Sequence, residues 1–187
     1  MLFPSEEDRL ALLRWARQAV IEAVSRGQLP SEIPQQGISL ERRGVFVTLH
    51  VRGRLRGCIG VVETQETLGE SVMRCAAGAA LQDPRFSPLK TEELGELRIE
   101  ISLMSAPVPI RPEEIEVGRH GLIVVSGAKR GLLLPQVATE HHLDRQQFLE
   151  ETCRKAGLHP GAWSAEGAQI LGFTCEVFSE IYPESKA

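Results

Sequence analysis

The sequence predicts one α+β domain with a mostly antiparallel sheet of about six strands and flanking helices. Three observations predict it. Segments of helical and strand periodicity do not alternate strictly, as a doubly wound fold would require. Strand-like segments recur in pairs joined by short glycine turns. The chain has 187 residues and is 42% apolar, enough for a single core that needs no covalent staples.

The first element is a helix from Ser5 to Arg26. Ser5 with Asp8 makes a capping pattern, and Gly27 supplies the stop. Leu10, Leu13, Ala16, Val20, Ala23 and Val24 form its apolar stripe. Gln28 to Arg43 reads as a loop. A hairpin follows, with Val45, Val47, Leu49 and Val51 alternating against Phe46, Thr48 and His50. Leu55, Gly57, Ile59 and Val61 resume the alternation. A three-residue turn pairing Val51 with Leu55 keeps both apolar series on one face.

A second helix spans Thr67 to Gln82, with Thr67 and Glu70 as its capping box and Pro84 beyond its end. Leu97 to Ser105 is a strand with Ile99, Ile101 and Leu103 on one side. Leu122 to Val125 and Leu132 to Leu134 are two buried strands around a turn from Gly127 to Gly131. A third helix starts at Asp144, with Gln147 completing the cap, Leu143 stapling to Phe148 and Gly157 closing it. The last strand covers Gln169 to Phe178.

Composition excludes several functions. The formal net charge of −4 disfavours attraction to nucleic acid or an anionic membrane. No apolar run approaches the roughly 20 residues a membrane span needs. Ser5-Glu6-Glu7-Asp8 is acidic where a targeting segment is basic. The four cysteines form no C-x-x-C pair, so free thiols in a cytoplasmic setting are expected. No metal or cofactor is expected; His141-His142 lack a visible third ligand. Ser126 to Gly131 lacks the spacing of a phosphate loop.

The thiols sort by parity. Cys75, Cys153 and Cys175 each fall where a small core hydrophobe belongs. Cys58 falls on the face opposite Val45, Val47 and Leu49, with Thr48 across the hairpin, His50 on the diagonal and Arg56 two residues back. Gly57 and Gly60 flank it, and glycine inside a strand marks a bulge or a close approach. Two readings stand. In one, Cys58 packs under a covering element and the glycines make room. In the other, Cys58 is a nucleophile or a redox thiol, with His50 the candidate base and Arg56 a nearby cation. Arg42, Arg43, Arg52, Arg54 and Arg56 form a local cationic cluster. It reads either as an anion site or as a solvated hairpin tip. Asp83 reads as orienting Arg85 or a histidine, or as capping a turn.

These residues carry a family resemblance. Leu55-Arg56-Gly57-Cys58-Ile59-Gly60 resembles the signature of the AmmeMemoRadiSam system protein A family, the AMMECR-type domain. Ala80 to Leu89, Ile99-Glu100-Ile101-Ser102 with Val117 to Leu122, and Arg130 to Ala138 resemble its later blocks in register. The match spans about residues 8 to 182. It implies that residues 1–187 form a single, two-lobed AMMECR-type domain whose cysteine signature lines a cleft. It further implies Memo-like and radical-SAM partner proteins. Two positions depart from the pattern: Gln136 stands where some relatives have an acid, and His142 where a glycine is common.

The resulting candidates are Cys58 and His50 for catalysis. Arg56, Gly57, Gly60, Asp83, Arg85 and His120 are the candidates for binding. The functional expectation is a thiol-dependent enzyme acting on a small anionic substrate, or a non-catalytic ligand- or protein-binding module.

Overall fold

The structure, a computed structural model, describes residues 4–30 and 37–181. Part of the loop expected over Gln28 to Arg43 therefore lies outside the described residues. The chain divides into two compact units, residues 1–104 with 176–187, and residues 105–175. Both are built from α-helices and antiparallel strand pairs, which is the predicted α+β class.

In the first unit, α1 covers Glu6–Arg26. Ser5 and Asp8 exchange both capping bonds, and Gly27 ends the helix at φ 68°, in the left-handed region that glycine adopts freely. β1 (Val45–Val51) and β2 (Arg54–Val61) form the hairpin. α2 covers Leu68–Leu81 behind the Thr67–Glu70 capping box. β3 is Leu97–Met104. β1 is the middle strand, paired antiparallel with β2 on one side and β3 on the other. Val45, Val47, Leu49, Ile99, Ile101 and Leu103 are fully buried against α1 and α2. Each such side chain contributes roughly 1.5–3 kcal/mol of hydrophobic burial.

The second unit holds β4 (Val108–Pro109), β5 (His120–Ser126), β6 (Lys129–Leu133), α3 (Pro135–Glu140) and α4 (Arg145–Lys155). β7 (Gln169–Ser179) begins here, and its residues beyond Cys175 belong to the first unit. β5 pairs with β6 and β7, and β4 pairs with β7. Leu122, Phe148 and Leu149 anchor this unit's core, with Leu143 packed against it, as the staple requires. Asp144 and Gln147 form the capping box of α4.

Several expectations are corrected. The β1–β2 turn has two residues: Val51 pairs with Arg54, across Arg52 at φ 53° and Gly53 at φ 73°. Two left-handed residues are what a tight hairpin turn needs. The odd residue sits inside β2, where Leu49 pairs with Gly57 but His50 with Leu55, leaving Arg56 as a bulge. Parity from Gly57 onward is therefore the predicted one, whereas Leu55 is 42% exposed. On α1, Leu10 is 50% exposed while Leu12 and Ala19 are fully buried. Cys175 is half-buried, unlike Cys75 and Cys153. Arg43 leaves the cationic cluster, buried with its Nε donating to the Met104 carbonyl. β4 and α3 have no counterpart in the expected element list. His142 has φ 52°, which accounts for glycine being at home there.

Candidate functional site

The site begins with a close approach. A Cβ on Gly57 would lie 2.0 Å from the carbonyl oxygen of Ala79, so only glycine lets α2 rest on the backbone of β2. That contact seats the last turn of α2, and Asp83 follows two residues beyond the end of the helix at Leu81.

Asp83 then reaches back to the strand. Its Oδ2 accepts the Cys58 backbone N–H at 2.8 Å, and its Oδ1 accepts the Arg85 backbone N–H at 3.1 Å. The Arg85 guanidinium closes on the same carboxylate, with Nε donating to Oδ1 at 3.0 Å and Nη2 to Oδ2 at 2.7 Å. Nη2 also lies 3.5 Å from the Cys58 carbonyl oxygen. Both expected roles of Asp83 are thus realised together, turn cap and arginine anchor, with a long-range bond added. The Asp83 side chain is 2% exposed and that of Arg85 is 55% exposed. Hydrogen bonds from Arg85 hold the Asp83 carboxyl far below the usual carboxylate range, against the opposing effect of burial, with help from the Cys58 and Arg85 amides. The Arg85 guanidinium also lies over the Phe86 ring, 5.5 Å from its centroid, within cation–π range.

Cys58 is half-buried. Its sulfur accepts a hydrogen bond from Thr48 Oγ1 at 3.3 Å, the residue paired directly across the hairpin. Thr48 in turn pairs with Glu100 of β3. Cys58, Thr48 and Glu100 therefore form one cross-strand row on a single face of the sheet. His50 lies two pairs away, opposite Leu55 and Arg98, and no hydrogen bond joins it to Cys58 among the described residues.

Other candidates have different occupations. The Arg56 guanidinium is committed to Glu93 through Nε at 2.8 Å and Nη2 at 3.0 Å, and to the Ser87 and Pro88 carbonyls. It ties the bulge of β2 to the loop before β3, and it holds the Glu93 carboxyl below its ordinary value. Space at Gly60 is filled by the Phe46 ring, 2.2 Å from where a Cβ would stand. His120 belongs to the second unit, where its Nδ1 accepts the Glu116 N–H at 3.1 Å. Among the described residues no cluster of three His, Cys, Asp or Glu side chains is placed to hold a metal. No helix among them is long and apolar enough to cross a membrane.

The AMMECR1 family model matches residues 13–178, a span that includes every residue just described. The chain belongs to the AMMECR1 family. A protein of Methanosarcina acetivorans is 41% identical over 192 residues, covering 96% of this chain and 94% of its own. One of Thermococcus gammatolerans is 43% identical over 186 residues, covering 92% and 90%. The crystal structure of an uncharacterized protein from Pyrococcus horikoshii is similar at a TM-score of 0.83 and 41% identity, covering 92% of this chain and 91% of that one.

In this AMMECR1 chain, sequence reasoning passed over Glu100 as a site residue. Its signal was present: a carboxylate between fully buried Ile99 and Ile101 must point to the opposite face. Its alignment with Cys58 needs the register of three strands.

Proposed function

We propose that the Cys58–Arg85 edge is a binding site for a small anionic ligand, with the Cys58 thiol beside it. One observation carries this reading. A buried carboxylate pins the Arg85 guanidinium while leaving it more than half exposed, and Nη1 is left over for a carboxylate or phosphate. Arg56 is excluded from the ligand's first contacts because its own fork is filled by Glu93 and two carbonyls. The test is calorimetric titration with inorganic phosphate and with malonate, on the wild type and on Arg85→Gln. Saturable binding that the variant weakens about tenfold supports the reading. Equal behaviour of both proteins, or no binding of either anion, sinks it.

A second reading, a thiol-dependent enzyme, is favoured by the row in which Thr48 links the Cys58 sulfur toward Glu100. Cys58→Ser separates the two: a binding module keeps its affinity, whereas a thiol enzyme keeps affinity and loses turnover. The Memo-like and radical-SAM partners implied by the family likeness extend the proposal. Direct pull-down with purified partners on wild-type and Arg85→Gln protein tests that extension.

A further inference from the structure

α1 uses two faces. Leu12, Ala16, Ala19 and Val20 are fully buried in the core of the first unit. The other face carries Leu10, Arg14, Arg17 and Ile21, spaced four, three and four apart, which aligns them in one stripe. Leu10 is 50% exposed and Ile21 40%. This stripe is one wall of a groove of about 1050 Å³ within the first unit, whose other wall includes Leu97, the end of β7 at Phe178 and Ser179, and the following Glu180 and Ile181. Ile181 is 88% exposed. Solvent-facing apolar side chains that gather along one furrow mark a recognition surface.

The charge of the groove runs against that of the chain. Five arginines and three glutamates line it, in a protein of formal net charge −4. Arg17 is spent on Glu180, and Arg9 on Glu176. Arg98 donates to the Glu180 carbonyl. Among the described residues, no ion pair or hydrogen bond engages the Arg14 or Arg26 side chains. The lining spans α1 from Glu6 to Arg26, roughly 30 Å at the helical rise. That length suits a polypeptide better than a compact small molecule.

We propose that this groove docks an acidic, amphipathic segment of a partner protein. The partner's aliphatic or aromatic side chains settle on Leu10, Ile21 and Phe178, and its carboxylates reach Arg14 and Arg26. Those two cations are about 18 Å apart along the axis, so the acidic groups stand about five extended residues apart.

The experiment selects random displayed peptides, long enough to fill the groove, on the intact wild-type chain. One enriched peptide is then synthesised with a fluorescent label and measured by anisotropy. Enriched sequences are expected to combine Asp or Glu with Leu, Ile or Phe. Arg14→Glu with Arg26→Glu is expected to weaken the labelled peptide about a hundredfold, and Arg14→Lys with Arg26→Lys only about threefold. Circular dichroism verifies that these surface variants stay folded. Absence of enriched peptides overturns the proposal. So does an enriched peptide that binds the charge-reversed protein as tightly as the wild type. A concentration-dependent dimer in sedimentation, dissolved by Leu10→Glu, overturns it by assigning the groove to a second copy.

Discussion

Asp83 accepts the amide hydrogen of Cys58 at 2.8 Å across 25 residues of chain. The same carboxylate holds Arg85, so one buried group couples the edge of β2, the end of α2 and an exposed cation. Asp83→Ala is expected to cost about 3 kcal/mol, because it leaves a buried N–H and a guanidinium without their partner. Arg85→Ala is expected to cost about 2 kcal/mol, because the buried Asp83 carboxylate then keeps only its two backbone N–H donors. Urea denaturation of both variants measures the ordering.

The pH dependence of that contribution has a definite sign. Asp83 has a depressed folded-state value, so its stabilisation is fully present above the unfolded value of about 3.9. It is lost as pH falls below that toward the folded value. The stability difference between wild type and Asp83→Asn is therefore expected to be flat from neutral pH to about 5 and to shrink in stronger acid. Cys75 acts at the other end. Burial pushes its thiol up to about 11. Its contribution is complete below the unfolded value of about 8.5 and declines as pH rises toward the folded one. Denaturation midpoints across pH test both limbs.

Native alkylation with iodoacetamide is expected to place one adduct on the chain, at Cys58. Cys75 and Cys153 are fully buried, and burial raises the thiol values of Cys75 to about 11 and Cys175 to about 12. The thiolate is the reactive form. Relative to an ordinary thiol at about 8.5, Cys75 therefore offers a thiolate population more than about a hundredfold smaller. Peptide mass mapping of native Cys58→Ala should show essentially no adduct; rapid labelling elsewhere would contradict the burial pattern.

Glycines separate by what stands beside them. Gly57→Ala is expected to cost more than about 3 kcal/mol, because the new methyl meets backbone that cannot swing aside. Gly131→Ala in the second unit resembles it, with Thr152 O and Ala156 N each 2.5 Å from the new carbon. Gly53→Ala has open space around it and φ 73°, so about 1 kcal/mol of left-handed strain is all it incurs. Thermal midpoints of the three variants should fall into these two classes.

Arg56→Lys is expected to lose about 1–3 kcal/mol, because the three donors of an ammonium cannot reproduce the four hydrogen bonds of the planar fork. Anion affinity at Arg85 should persist in that variant. Titration with phosphate, alongside denaturation, separates the structural arginine from the recognising one.

Local chemistry was the legible part of this sequence. Ser5 with Asp8, Thr67 with Glu70 and Asp144 with Gln147 each close a cap within three residues, so nothing distant can alter them. Strand parity placed Cys58 opposite the core and beside Thr48. Parity alone does not distinguish a three-residue turn from a two-residue turn plus a bulge, because both keep Gly57 and Ile59 inward. The difference decides where Arg56 points, and only the contact with Glu93 reveals it. Leu10 was misplaced because α1 has apolar residues on two faces, and periodicity does not say which is covered. The alignment of Glu100 with Cys58 depends on two strand registers set far apart in sequence.

β2 ends the sheet, and an unpaired rim of this kind is a template onto which a foreign strand can zip. At Cys58 both main-chain groups are already occupied, the N–H by Asp83 and the carbonyl by Arg85. The pair thus impersonates a neighbouring strand for one residue and denies a nucleus to intermolecular pairing. Removing Asp83 would leave that position open, and concentrated solutions of the variant should turn turbid while the wild type stays clear.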